Sequence, residues 1–394
     1  MGVVFGSPVL VLSVLLFALA SASSELLAED ALIVPGTTPL DQDGIPVQAH
    51  GGGVIRLNDT FFWYGESYKR PMLGDFLSEG VNLYSSTNLT TWTFEGLVFN
   101  GTEQMQDMPL GPPFRIERPK ILYNAAYGQF VLLFHADTPR FSYPSVGVAV
   151  AADIRGPYKW VRAFKPDGLD SYDMGVFQES DGTAFLVRSI NNDFLGISQL
   201  TPNYTDTTGL VSVTPRGEGP SIFKPTAKDY YLIASHLTYW NPNPPMLFHA
   251  SASSLRTAAW HNLTVPAQGE GANTTYNSQS SFVFPLEFVD GTVLHIYMGD
   301  RWNFAGPGSV ENATYVWLPL LPNGDGSGYT LQHADSWRPS DYRDQARLPP
   351  VYDRAAHVAD TGLSAAEQAW VDSLLAPRKK QQDRNNTVNT AAST

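Results

Sequence analysis

The segment Ala49-His50-Gly51-Gly52-Gly53-Val54-Ile55 has four counterparts along the chain, and together the five segments indicate a repeating architecture. Each segment places a polar residue at the start of a strand-like apolar run, and these residues are His50, Glu117, Asp173, Glu218 and Gln279. Strand-rich units that recur every ~50 residues are typical of the blades of a β-propeller. Because blades surround one axis, the five polar side chains are predicted to converge on one central pocket.

The strand pattern inside each unit supports this interpretation. In the first unit the strand candidates are Val54 to Leu57, Thr60 to Gly65, Val81 to Ser85 and Trp92 to Val98. The other units repeat this plan, although the fourth strand of the third unit, Val211 to Val213, is weak. We therefore predict an all-β, single-domain, five-bladed β-propeller over residues 35–345. A pair of β-sandwich domains is the alternative.

Composition limits the class of partner. The chain has 394 residues, a formal net charge of −13, and no Lys/Arg-rich stripe before its C-terminal tail. This balance argues against nucleic acid or an anionic membrane as a partner, and a neutral substrate fits better. The sequence has no Cys, so a large core rather than disulfides must supply stability.

The N-terminal region predicts secretion. Val3 to Leu19 form a short apolar run that ends in the small residues Ala20-Ser21-Ala22, so residues 1–22 are predicted to be a signal peptide. A membrane anchor is the alternative, but the run is short for a span. Asn-x-Ser/Thr acceptor sites occur at Asn58, Asn88, Asn100, Asn203, Asn262, Asn273, Asn312 and Asn385. We expect an extracellular, glycosylated monomer with no membrane partner once the signal peptide is cleaved.

The repeating pattern stops after Trp337. Ser364 and Glu367 form a capping box that opens one amphipathic helix, and Pro377 ends it. We assign residues 346–377 to a C-terminal extension that packs on the outside of the propeller, and residues 378–394 to a disordered tail.

Three carboxylates in one pocket indicate an enzyme. Hydrolysis of a glycosidic bond needs an acid that protonates the leaving oxygen and, in inverting enzymes, a second group that activates water on the opposite face. Glu218 precedes Gly219-Pro220, a sequence that allows its carboxyl to project into the pocket, and we predict that it is the acid. Asp173, on the neighbouring unit, is predicted to raise the pKa of Glu218 by like-charge proximity. Taken singly, each acid could be a strand-edge carboxylate.

At these positions the chain resembles glycoside hydrolase family 43, the five-bladed propeller hydrolases, and within it the exo-acting β-1,3-galactanases. The resemblance runs in order over about residues 35–340 and rests on Gln48-Ala49-His50-Gly51-Gly52-Gly53, Trp63-Tyr64-Gly65-Glu66, Glu117-Arg118-Pro119-Lys120, Ser171-Tyr172-Asp173-Met174, Glu218-Gly219-Pro220, Thr238 with Trp240 and Asn243, Ser278-Gln279-Ser280, and Met298-Gly299-Asp300-Arg301-Trp302.

The resemblance implies roles for these residues. Glu218 matches the general acid, and Asp173 matches the carboxylate that modulates its pKa. Most of the family has an Asp base in the first blade, where this chain offers His50, and Gln279 matches a glutamine proposed to hold the hydrolytic water. The implied sugar contacts are Glu117, Glu66, Tyr143, Thr238, Trp240, His50 and Trp302.

Three departures from the family pattern lie next to the pocket. Tyr172 stands where the galactanase-like branch usually has Arg, Gly219 where it usually has Ala, and Tyr239 where it usually has Gly. We expect them to affect substrate choice more than reaction class, while Tyr172 and the missing base keep a non-catalytic propeller as an alternative.

The expected function is a secreted inverting hydrolase that releases galactose from β-1,3-galactan. The alternatives are a family 43 α-L-arabinofuranosidase or β-xylosidase, and a non-catalytic propeller that binds glycans. The implied partner is a polysaccharide or oligosaccharide. No cofactor is expected, His135 and Asp137 are interpreted as structural, and a calcium or sodium ion in the central channel stays an open alternative.

Overall fold

The computed structural model describes residues 28–68, 77–109, 111–263, 265–302, 309–347 and 364–375. Their strands form five four-stranded antiparallel sheets, and within each sheet the strands lie in chain order. The predicted five-bladed β-propeller is therefore confirmed. None of the described helices is long and apolar enough to cross a membrane.

Each blade consists of four consecutive strands. Blade 1 contains β1 (His50–Leu57), β2 (Thr60–Tyr68), β3 (Ser78–Ser86) and β4 (Thr93–Asn100), and blade 2 contains β5 (Arg115–Asn124), β6 (Gln129–Asp137), β7 (Ser145–Ala151) and β8 (Lys159–Phe164). Blade 3 contains β9 (Ser171–Gln178), β10 (Ala184–Ile190), β11 (Phe194–Leu200) and β12 (Thr207–Arg216). Blade 4 contains β13 (Glu218–Phe223), β14 (Asp229–Ser235), β15 (Pro245–Ser251) and β16 (His261–Asn262), and blade 5 contains β17 (Gln279–Glu287), β18 (Val293–Arg301), β19 (Thr314–Pro322) and β20 (Tyr329–Leu331). The helices are α1 (Gly101–Gln104) and α2 (Ala365–Leu375).

The hydrophobic core is divided among the gaps between neighbouring blades. Along β2, Phe61 and Trp63 pack toward blade 5, whereas Phe62 and Tyr64 pack toward blade 2. Successive side chains of a strand point to opposite faces, so a strand that is buried on both faces must be apolar at every position. This requirement explains the long apolar runs in the second strands, such as Phe61 to Tyr64 in β2 and Phe130 to Phe134 in β6.

The N-terminal segment closes the ring by backbone pairing near both the last and the first blade. Ile33 pairs with Trp337, Thr37 pairs with Tyr315 on β19, and Asp41 pairs with Trp92 before β4. The segment therefore crosses from blade 5 to blade 1 and ties the last blade to the first.

Two outer elements differ in how fully the sequence predicts them. Strand β12 is ten residues long, although its sequence signal is confined to Val211 to Val213. Helix α2 is confirmed: Ser364 and Glu367 form its capping box, and Trp370 stacks on Phe194 of blade 3 at 4.7 Å between ring centroids. The predicted signal peptide, the helix stop at Pro377 and the predicted tail lie outside the described residues.

Candidate active site

The first strands bring their polar residues to one end of the propeller axis. Strands β1, β5, β9, β13 and β17 pack beside one another around this axis. In every blade the pairing of the first strand with the second becomes irregular near the polar residue, for example between Glu117 and Lys120 and between Glu218 and Ser221. Bulges of this kind bend a strand and redirect a side chain, which turns the polar groups toward the axis.

Glycines make this close arrangement possible in blades 1 and 4. Gly219 directly follows Glu218 and has φ +58°, a left-handed conformation that glycine adopts without steric cost. Gly51, which follows His50, has φ +59°, and a Cβ there would overlap the Glu66 carboxyl group. The glycine-rich segment therefore lets the backbone approach a buried acid.

A cavity of about 300 Å³ lies where the first strands begin. The sequence-predicted residues that line it are Glu66, Glu117, Asp173, Glu218, Trp240, Gln279 and Trp302. Tyr172 and Tyr239, which the sequence placed next to the pocket, also line it, and the lining residues that were not predicted are Tyr68, Arg118, His135, Phe141 and Asn192. All three predicted catalytic side chains therefore reach one pocket.

Glu218 is held in its protonated form near neutral pH. Burial and then the negative charge of Asp173 raise the pKa of Glu218 to about 8, although Arg118 and Gln279 act in the opposite direction. Asp173 lies close by because its Oδ2 accepts a hydrogen bond from the Gly219 backbone N–H at 3.0 Å. A carboxyl group with a raised pKa can donate a proton at neutral pH.

The Gln279 side chain is fully engaged. Its Nε2 donates to Glu218 Oε1 at 3.1 Å and to Ser235 Oγ at 3.0 Å. Its Oε1 accepts from Arg118 Nη2 at 2.5 Å and from Trp302 Nε1 at 3.0 Å. Two N–H donors facing the oxygen fix the orientation of the amide, so its NH₂ group must point toward the acid.

Arg118 connects the catalytic residues and was missed by the sequence analysis. Its guanidinium lies 3.0 Å from Asp173 Oδ2 and also donates to Gln279 and to the Ser280 carbonyl. Its backbone N–H donates to Glu66 Oε1 at 2.6 Å, and its φ of +54° is unusual for a residue with a Cβ. The only sequence signal was its place inside the block Glu117-Arg118-Pro119-Lys120.

Glu66 and Glu117 face the same pocket in opposite protonation states. Burial, followed by the charge of Glu117, raises the pKa of Glu66 to about 8, and Tyr68 donates a hydrogen bond to Glu66 Oε2. Burial alone would raise the pKa of Glu117 as well. The hydrogen bonds and positive charges of His135 and Arg115 outweigh burial and lower the pKa of Glu117 to about 2. Near pH 7 Glu66 and Glu117 therefore present one neutral and one ionised carboxyl group to the pocket.

His135 lies between Glu117 and Asp137 in a buried group of three ion-paired side chains. Its Nδ1 lies 3.0 Å from Glu117 Oε2, and its Nε2 lies 3.3 Å from Asp137 Oδ2. Burial opposes protonation of the imidazole, but Asp137 and Glu117 prevail and raise the pKa of His135 to about 9. The positive charge explains why Glu117 stays ionised although it is buried.

Three sequence-predicted sugar contacts do not line the described part of the pocket. His50 is completely buried, with Nδ1 3.3 Å from Asp300 Oδ1 and its ring stacked on Tyr315. The Tyr143 side chain packs against the core between blades 1 and 2. The Thr238 hydroxyl donates to the Asn241 carbonyl, so its side chain supports a turn.

Lys120 is buried in the inner strands, where burial and then the charge of Arg118 lower its pKa to about 7. The buried Lys120 ammonium donates to three backbone carbonyls, those of Gly51 at 2.6 Å, Pro119 at 3.1 Å and Arg118 at 3.3 Å. Carbonyl oxygens of this kind are also the ligands that calcium and sodium use. Within the described residues, no group of three or more His, Asp or Glu is placed to hold a metal ion.

Solved structures resemble this chain over most of its length. A GH43 β-1,3-galactosidase solved with galactodeoxynojirimycin has 28% identity and a TM-score of 0.69, covering 78% of this chain and 100% of that one. An exo-β-1,3-galactanase from Phanerochaete chrysosporium, solved with β-1,3-galactotriose, has 33% identity and a TM-score of 0.68, covering 78% and 68%. An exo-β-1,3-galactanase from Clostridium thermocellum has 29% identity and a TM-score of 0.68, covering 82% and 69%.

No protein-family profile and no curated protein matches the sequence. The fold, the axial pocket and the identity to the Phanerochaete enzyme over 68% of its length nevertheless agree with one another. The chain therefore belongs to glycoside hydrolase family 43.

Proposed function

We propose that this protein is an inverting, exo-acting hydrolase that releases galactose from the ends of β-1,3-galactan chains. The observation that carries the proposal is Glu218, whose pKa of about 8 suits a general acid in a pocket with further carboxyl groups. The choice of galactan rests on the similar solved enzymes, which are β-1,3-galactosidases and exo-β-1,3-galactanases.

In this mechanism Glu218 gives its proton to the glycosidic oxygen as the bond to the anomeric carbon breaks. The Asp173 charge keeps the proton on Glu218 until the leaving oxygen develops negative charge. Arg118, paired with Asp173, holds that carboxylate in place. Ionised Glu117 can accept hydrogen bonds from sugar hydroxyls, whereas neutral Glu66 can donate one.

Water must attack the opposite face of the sugar ring in a single displacement. The proton that the water loses passes to solvent, from which Glu218 regains the proton that it gave to the leaving oxygen. Gln279 is the proposed group that holds this water, but its NH₂ is bonded to Glu218 and Ser235. A sugar that inserts between acid and amide would break the bond to Glu218 and free one N–H. Gln279 can therefore hold the hydrolytic water only if substrate entry separates the side chains of Gln279 and Glu218.

The test is to measure which substrates the purified protein hydrolyses. We expect release of galactose from β-1,3-galactan and little release from aryl α-L-arabinofuranosides or aryl β-xylosides. Proton NMR of fresh hydrolysate should show α-galactose first. Early β-galactose would overturn the single displacement. Preferred cleavage of the arabinoside or xyloside would mean that the enzyme has one of the other family 43 specificities. Polysaccharide binding without hydrolysis would favour a non-catalytic propeller.

Secretion and glycosylation are part of the same proposal. They rest on the predicted signal peptide and on the acceptor sites in the sequence. Recovery of the mature protein from the medium of a eukaryotic host, with a mass lowered by glycosidase treatment, would support them. Retention of the whole product in the cytoplasm would contradict them.

A pH-dependent loss of affinity is expected for His135→Gln. Without the imidazolium, only Arg115 opposes burial, so the pKa of Glu117 rises and part of Glu117 becomes protonated in mildly acidic solution. The KM for galacto-oligosaccharides should rise on the order of 10-fold between pH 7 and pH 5, because an ionised acceptor is lost. The wild type should keep a flat KM over this interval.

His295→Gln is the matched control for this prediction. His295 is also buried, but it lies outside the described lining of the pocket, and burial lowers its pKa to about 4. Its substitution should leave the pH profile of KM unchanged. If the KM of His135→Gln changed with pH no more than the KM of the wild type, His135 would have only a packing role.

A further inference from the structure

The turn between β14 and β15 is closed by several internal hydrogen bonds. The Asn241 N–H donates to the Thr238 carbonyl at 3.1 Å, and the Thr238 hydroxyl donates back to the Asn241 carbonyl at 2.5 Å. The Asn243 amide donates to the Thr238 hydroxyl at 2.7 Å and to the His236 carbonyl at 3.0 Å. These bonds fix the conformation of residue 239 at the tip of the turn.

Tyr239 occupies that tip in an unfavourable conformation. Its φ is +57°, in the left-handed region where a bulky residue is a steric outlier. Its side chain is 81% exposed, so packing against the protein does not offset the strain. Glycine would fit this position without strain. Strained residues cluster at functional sites, and Tyr239 lines the pocket.

The location of Tyr239 relative to the acid decides which part of a substrate it would meet. The Thr238 backbone is hydrogen-bonded to Glu218 and acts to lower its pKa, although burial and Asp173 dominate. A general acid must face the leaving oxygen. Residue 239 is next along the turn and lines the same cavity as Glu218, which places it beside the acid and near the path of the leaving group.

We propose that Tyr239 is a specificity-determining residue that stacks on the apolar face of the sugar unit adjoining the cleaved galactose. This inference rests on the proposed function. A preorganised aromatic ring beside the acid favours chain substrates over galactosides whose leaving group has no ring, because sugar rings present C–H faces that pack on aromatics.

The experiment compares β-1,3-galactotriose with β-galactosyl fluoride, whose leaving group carries no sugar. For Tyr239→Gly, kcat/KM should fall about 5- to 10-fold on galactotriose, and the loss should exceed that on the fluoride by at least about fivefold. Tyr239→Phe keeps the ring and should stay near the wild type on both substrates. The Tm of Tyr239→Gly should equal or exceed that of the wild type, because glycine relieves the strain.

Tyr127→Ala is the control, since Tyr127 is 57% exposed but lies outside the described lining of the pocket. This substitution should not alter the ratio of kcat/KM on galactotriose to kcat/KM on the fluoride. Equal losses on both substrates with Tyr239→Gly, or no loss on galactotriose, would overturn the role of Tyr239 alone. A wild-type protein that cleaves neither substrate would overturn the proposed function and the role of Tyr239 with it.

Discussion

Glu218→Gln is expected to reduce hydrolysis of β-1,3-galactan on the order of 10³-fold while galactose still binds. The substitution keeps the shape of the side chain but removes its transferable proton, and general acid catalysis contributes effects of this size. The loss should appear in kcat rather than KM. With β-galactosyl fluoride, whose leaving group needs little protonation, the variant should recover much of its rate.

Two comparisons make the result specific. Glu179→Gln removes a half-buried carboxylate that is paired with Lys224 outside the described pocket lining, and it should retain activity. If Glu218→Gln kept activity within tenfold of the wild type on galactan, Glu218 would not be the acid. Equal losses on galactan and on the fluoride would also speak against proton donation.

Asp173→Asn tests what holds the proton on Glu218. In the wild type the rate should fall as pH rises through about 8, because Glu218 then loses its proton. Removal of the Asp173 charge lowers the pKa of Glu218, and Arg118, released from its ion pair, acts in the same direction. The alkaline limb of the pH–kcat profile should therefore move to lower pH. A limb that does not move would leave burial as the cause of the raised pKa.

The sequence predicted the parts of the site that follow the symmetry of the fold. Glu117, Asp173, Glu218 and Gln279 occur near the start of a first strand, and the structure brings all four into one pocket. Each such strand adjoins the propeller axis, so its position in the repeat determines where its side chain lies. The fifth residue of this set, His50, is completely buried beside Asp300 instead.

Residues outside that symmetry could not be predicted in the same way. Tyr143 and Thr238 lie in connections between strands, where local turns rather than the repeat decide the direction of a side chain. Arg118 reaches Asp173 and Gln279 only because its backbone is left-handed at a bulge. A left-handed non-glycine residue has no dependable signature in sequence, and at Tyr239 the only signal was that the galactanase-like branch usually has Gly there.

Gln279→Ala is the second substitution expected to have a large effect, with kcat on galactan falling on the order of 10²-fold or more although no ionisable group is removed. Loss of one well-placed hydrogen-bond donor at a transition state has a cost of this size. If Gln279 binds only a sugar hydroxyl, KM should rise with little change in kcat. Ser235→Ala is the control, because it removes the other acceptor of the same NH₂ group and leaves the amide in place.

Gln279→Glu separates the holding of water from simple scaffolding. A carboxylate at this position could serve as an ordinary base, and Arg118, which donates to Gln279 Oε1, would favour its ionised form. Because Gln279 Nε2 lies 3.1 Å from Glu218 Oε1, the two carboxyl groups would repel each other when both are charged. The repulsion should raise the pKa of Glu218 further and move the alkaline limb to higher pH. We expect Gln279→Glu to exceed Gln279→Ala in kcat and to release α-galactose first, whereas equal rates for the two variants would mean that no group at position 279 acts on the water.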